Sequence, residues 1–194
     1  MIIYLRARFL SPDGRCYTFD DNANGYARGE AVGCLILKPL TDALRDKDTI
    51  RAVIRGSGSN QDGRTPGITL PNGAAQEALI RDVYNTAGLD PRETEFVEAH
   101  GTGTQAGDPI ETSALSRVLG LGRAPERPLR IGSIKTNVGH LEGSSGVAGV
   151  IKAVFMLENR TFPPNRNFTT LNPRILLDEW KLKVRIHFNV SILR

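Results

Sequence analysis

Residues 130–157 read RIGSIKTNVGHLEGSSGVAGVIKAVFML, and the fold turns on how that stretch is divided. It opens as an apolar strand, predicted over residues 129–134, and breaks into a polar loop carrying Lys135, Thr136, Asn137 and His140. A long helix follows. Its mouth is small (Gly143, Ser144, Ser145, Gly146, Ala148, Gly149), and it is apolar beyond, through Val150, Ile151, Val154, Phe155, Met156 and Leu157. A helix apolar on every side belongs inside a core. Glycine costs about 0.5–1 kcal/mol relative to alanine in a helix, so several of them predict a very close neighbour. A buried helix with a histidine and a lysine at its entrance reads as the floor of an active site.

Upstream, SPDG at residues 11–14 is a turn, and residues 19–30 form a loop rich in Asn, Asp and Gly. Residues 31–38, AVGCLILK, predict a buried strand ended by Pro39, with Cys34 a small buried hydrophobe inside it. Residues 49–57, TIRAVIRGS, predict a second strand. Asn72 caps a helix to about Thr86 with Ala75, Leu79, Ile80 and Val83 on one face, and Gly88 closes it. A strand over residues 95–98 leads into AHGTGTQAG. Asp108-Pro109-Ile110-Glu111 then reads as a helix start: cap, proline in the first position, capping-box glutamate. Gly120 stops that helix, and residues 180–188 predict a last strand. Alternating strands and helices make this an α/β protein.

The 194 residues favour one domain or a large part of one. The net charge of +4 comes from scattered Arg and Lys with no aromatic interleaving, which does not indicate nucleic-acid binding. The apolar start is interrupted by Arg6 and Arg8, too short for a membrane span and wrongly ordered for a signal peptide, so a soluble cytoplasmic protein is expected. Sequons at Asn167 and Asn189 are then chance matches. Two cysteines, Cys16 and Cys34, indicate neither a disulfide framework nor a zinc site.

His100 and His140 each follow the carboxyl end of a strand, where open α/β sheets gather ligands and catalytic groups. Neutral imidazoles there can donate hydrogen bonds to a developing oxyanion or move protons near neutral pH. His187 reads as structural. Lys135 and Glu142 straddle His140, and a pair between them would fix the loop; as a surface pair it would be worth about 0–1 kcal/mol. GSGSNQDG lacks the third glycine of a dinucleotide fingerprint, so a nucleotide-binding module rests on little. There is no HExxH and no GxSxG elbow.

Two segments, VEAHGTGTQAGDPIE (97–111) and SIKTNVGHLEGSSGVAGVIK (133–152), closely resemble the two histidine motifs of β-ketoacyl synthases, in the wording of the ketosynthase domain of fungal reducing type I polyketide synthases. FLSPDGRCYTFDDNANGYARGE (9–30) and GSGSNQDGRTPGITLPN (56–72) resemble the segments between. The resemblance runs over residues 9–183, with residues 1–8 and 184–194 unmatched. It implies a thiolase-like, layered α-β-α-β-α fold, here incomplete: the end of the first half and most of the second. It implies decarboxylative condensation of acyl and malonyl thioesters in polyketide or fatty acid biosynthesis, with acyl carrier protein as partner, a homodimeric parent enzyme, no membrane and no cofactor beyond the carrier's phosphopantetheine. By that match His100 and His140 are catalytic, Lys135 and Glu142 organise the site, Thr102 and Thr104 flank the phosphopantetheine, and Thr136 lies near the His140 loop.

The family's nucleophile sits in an upstream DTACSSS-like elbow absent here, and a Gly-Phe-Gly-Gly-Ser/Thr-Asn strand expected near the end is also absent. The chain is therefore expected to be a truncated or misjoined piece, inactive alone, that exposes apolar surface and self-associates. The alternative is a non-catalytic remnant or a fragment that binds the carrier protein or a partner half.

Overall fold

The computed structural model describes residues 9–67 and 70–186. At its centre is a three-stranded parallel sheet of order β1-β2-β3: β1 Phe96–Glu98, β2 Leu129–Gly132 and β3 Leu182–Val184. Val97 pairs with Ile131, and Ile131 with Val184. Parallel neighbours need long crossovers, and helices supply them.

Before the sheet come α1 Leu40–Arg45 and α2 Gly73–Ala87. The first crossover contains α3 Gly107–Leu115, extended by a π-helical turn, Ser116–Gly120. The second contains a one-turn helix α4 Lys135–Val138 and the long α5 Ser145–Asn159. Residues 135–138, expected as loop, are thus helical.

Alternation along the strands separates the two faces of the sheet. Leu129, Ile131, Leu182 and Val184 join Leu115, Val118, Leu119, Phe19 and Ile175 in one buried cluster, with Ile80 and Tyr84 of α2 packed against it. The other face carries Phe96, stacked 5.5 Å from Phe162, and Glu98, which pairs with Lys152 of α5. The sheet therefore lies between α2/α3 and α5, an α-β-α layering. Asn72 caps α2 as its sequence predicts, accepting the Ala75 amide at 3.1 Å, and Gly88 closes it in the left-handed conformation. Among the described residues no helix is long and apolar enough to cross a membrane.

Three expectations fail here. Residues 31–38 and 49–57 form no strand, and most of their side chains face outward: Val32 is 97% and Ile36 99% exposed. These extended segments run against helices. A Cβ on Gly33 would meet Val147 of α5 at 2.6 Å, and one on Gly56 would meet Val83 of α2 at 3.2 Å. Among the described residues their backbones find no sheet neighbour, so these hydrophobic strand sequences form no ladder there. Cys34 is accordingly exposed, not buried.

The third concerns α5. Among its residues only Met156 is buried, while Val150, Phe155 and Leu157 lie open. Gly143 and Gly146 face empty space, and only Gly149 of the three has a close neighbour, Glu98 Cγ at 3.3 Å. His187, the sequon at Asn189 and the end of the predicted last strand lie outside the described residues.

Candidate active site

Two loops meet beyond the carboxyl ends of β1 and β2. The first is HGTGT, residues 100–104. Its glycines are required by geometry: Gly101 has φ +47 with Thr18 Cγ2 only 2.6 Å from where a Cβ would stand, and Gly103 has φ +77 with the Tyr17 amide nitrogen at 2.7 Å.

Below that loop, α3 begins at Gly107 with Ala106 as a cap residue that makes no side-chain bond. Asp108 and Glu111 do not form the expected cap and capping box. Both reach back into the loop. Asp108 accepts the amides of Phe19 at 2.7 Å and Gly103 at 3.1 Å. Glu111 accepts those of His100 at 2.6 Å and Gly101 at 2.8 Å. Two carboxylates three residues apart on one helical face thus hold the loop bearing His100. Burial raises both pKa values, that of Asp108 to about 7.

The second loop carries His140. Its amide donates to Ala27 O at 2.7 Å and its carbonyl accepts the Gly29 amide at 3.0 Å, so the 26–30 segment pins it. Gly139, at φ +75, clears Ala27 and Arg28. The Glu142 amide donates to His140 Nδ1 at 2.9 Å. An amide can only donate, so Nδ1 is the acceptor and neutral His140 carries its proton on Nε2. The Tyr26 ring lies 4.9 Å from the imidazole.

The two imidazoles meet edge to face, their centroids 5.6 Å apart. Solvent reaches His100 from one side, yet the surrounding chain and then the charge of Lys135 bring its pKa down to about 4. Burial and Lys135 also lower that of His140. Both rings are therefore neutral near pH 7. Lys135 is buried beneath them; burial lowers its pKa against the opposing pull of Glu111, Glu98, Cys16 and Asp108.

The expected partnership of Lys135 with Glu142 is not formed. Glu142 lies on the outer side of the His140 loop, 3.4 Å from Arg28, with both side chains nearly half exposed. The carboxylates that act on Lys135 come from β1 and α3. Thr102 and Thr136 are buried; Thr102 Oγ1 lies 3.4 Å from Thr104 Oγ1, and Thr104 Oγ1 accepts the Gly107 amide at 3.1 Å. Thr136 bonds Ser133 O at 3.0 Å and the Arg166 amide at 3.1 Å, tying the His140 loop to residues 165–167.

Sequence reading passed over Asp108 and Glu111 as site residues, along with Glu98, Lys152, Ser145 and Tyr26. The Asp-x-x-Glu spacing after a glycine-rich loop was the available signal. Lys152 Nζ and Glu98 Oε2 are 2.6 Å apart at 10% and 14% exposure, and Glu98 Oε1 accepts the Ile134 amide at 2.5 Å. That buried pair links the strand before His100 to the helix after His140.

The profile of the beta-ketoacyl synthase C-terminal domain matches residues 51–169, and that of the N-terminal domain matches residues 1–43. This chain belongs to the β-ketoacyl synthase family. The N-terminal match reaches back across residues 1–8 as well. The highly reducing polyketide synthase tstA of Talaromyces stipitatus is 66% identical over 95% of this chain, and phiA of a fungal species (strain ATCC 74256) is 66% identical over 96%. Reducing polyketide synthase PKS1 of Cochliobolus heterostrophus is 62% identical over 95%. The chain spans about 7% of the length of each. Among solved structures, the ketosynthase from module 6 of the Bacillus subtilis bacillaene synthase superposes with a TM-score of 0.91 at 44% identity, over 96% of this chain and 33% of that one. The fold is thus the thiolase-like fold of ketosynthase domains, present in part.

Proposed function

We propose that this chain supplies the histidine pair of a ketosynthase that condenses acyl and malonyl thioesters, carried on the phosphopantetheine of an acyl carrier protein, during polyketide assembly. The observation that carries the reading is the pair of neutral imidazoles 5.6 Å apart at the sheet's carboxyl edge.

In that reaction the bond from the malonyl α-carbon to its carboxylate breaks and carbon dioxide leaves. The electron pair moves onto the thioester oxygen, where N–H donors from His100 and His140 receive the charge. Such donors contribute about 2.7–4 kcal/mol each when preorganised. The enolate carbon then attacks the acyl thioester, forming the new carbon–carbon bond and expelling the thiolate that held the acyl group. Burial and the charge of Lys135 keep both rings neutral, while Glu111 holds the backbone amide of His100. Thr102 and Thr104 are assigned to the phosphopantetheine side of the site, and Thr136 to support of the His140 loop.

Neither cysteine suits the acyl-bearing role. Cys16 is 1% exposed and burial raises its thiol pKa. Cys34 sits on an exposed extended segment. A low thiol pKa comes from a helix N-terminus or a nearby cation in an accessible setting. We therefore assign the nucleophile to a residue outside this chain and expect no condensation by the chain alone. The open apolar side of α5 supports a second role, docking a partner half of the enzyme, within a homodimeric cytoplasmic assembly.

The test is incubation with malonyl-loaded and acyl-loaded carrier protein. The expected result is slow release of carbon dioxide, abolished by His100→Ala with His140→Ala, and no condensation product. Decarboxylation that survives the double substitution overturns the histidine assignment.

A further inference from the structure

Ser145 is the first residue of α5, and its hydroxyl lies 3.1 Å from His140 Nδ1. The same oxygen accepts the Leu141 amide at 3.0 Å. Its one proton is therefore free for a single acceptor. That acceptor is Nδ1, which the Glu142 amide has already fixed as unprotonated at 2.9 Å.

The two donors are not equivalent. Glu142 has φ +52, a conformation side chains rarely adopt, and it sits in a single 3₁₀ turn, Glu142–Ser144, at the surface. Ser145 belongs to a 15-residue helix, and its oxygen is held from the other side by Leu141. The helix can therefore orient the ring more rigidly than the turn can.

We propose that Ser145 is a positioning residue whose hydroxyl ties the His140 ring to α5 and holds its proton on Nε2, so that His140 presents a neutral N–H to the site. Protonation of Nδ1 would set two hydrogens against the Glu142 amide and oblige Ser145 to reverse its bond. Ser145 thereby opposes the imidazolium. The other groups facing the ring act by charge or contact: Lys135, His100 and Arg28 disfavour the cation, Glu142 favours it, and Tyr26 packs against it. Of these only Glu142, through its backbone amide, also selects between the two nitrogens. The consequence for catalysis rests on the reading of His140 as an oxyanion donor.

Nitrogen-15 labelling of histidine in the full chain reads both nitrogens directly, because there are only three histidines and His140→Gln assigns the signal. In the unaltered chain Nε2 should carry the proton at pH 7. Ser145→Ala should raise the ring's proton affinity about threefold, a midpoint shift of about half a unit read from both nitrogen shifts. Ser145→Thr, which keeps the hydroxyl, should restore the original pattern. Unchanged nitrogen shifts and midpoint in Ser145→Ala, or a threonine variant that behaves like alanine, overturns the proposal. Carbon dioxide release separates the two claims. Shifted nitrogens in Ser145→Ala together with undiminished decarboxylation in His140→Gln keep the Ser145 assignment and overturn the catalytic one for His140.

Discussion

Two parts of this chain carry apolar strand-like sequence and are opposite in structure. Around β2, Leu129 and Ile131 are fully buried, with a strand on each side and helices above and below. In residues 31–58 and on the open side of α5, Val32, Ile36, Ile54 and Phe155 are exposed. The difference lies in what each segment has beside it. The β2 region finds all its neighbours within this chain, whereas the other touches helices on one side and nothing described on the other. Hydrophobicity states where a side chain is favoured; whether it gets there depends on surfaces that exist.

The sharpest test truncates side chains in both regions. Ile131→Ala should cost about 2–5 kcal/mol in chemical denaturation, the range for a buried aliphatic deletion. Ile36→Ala should change stability by less than about 0.5 kcal/mol. A large loss at Ile36 would show that the face is covered in solution. Self-association should run the other way: Ile36→Lys with Phe155→Lys should abolish concentration-dependent association on sizing, without lowering the melting temperature.

Next in size is the loop clamp. Glu111→Ala orphans the Gly101 amide, so a loss of about 1–3 kcal/mol is expected, with a raised His100 titration midpoint as the loop loosens. The pH dependence can be resolved as well. The Asp108 carboxyl titrates at about 7 in the fold against 3.8 for a free group, so its contribution is fully present below 3.8 and is lost as pH rises through 7. His100, at about 4 against 6.5, contributes fully above 6.5 and loses that as pH falls through 4. The two slopes oppose each other between about 4 and 6.5. Asp108→Asn removes one of them, and stability should then rise more steeply with pH across that window.

Glycines give a smaller contrast. Gly146 has open space around it, so Gly146→Ala should stabilise this chain by about 0.5–1 kcal/mol. Gly101→Ala meets Thr18 and Ser133 with φ positive and should destabilise. Least of all is Arg28→Ala, which breaks a half-exposed pair and should cost no more than about 1 kcal/mol, vanishing in high salt.

Periodicity and punctuation were legible without coordinates. The capped helix from Asn72 to Gly88, the strands at 96–98 and 129–132, and the two histidines just past them all depend on neighbours a few residues away. Local chemistry determines such features, because a cap, a turn or a strand's alternation is satisfied within its own segment. The carboxylates beneath HGTGT, the Arg28 partner of Glu142 and the Glu98–Lys152 link were not legible in that way. Each joins groups whose spacing along the chain says nothing about distance in space. Only the packed tertiary structure decided them, and it also decided which apolar stretches were buried, because burial needs an opposing surface that no stretch of sequence carries for itself.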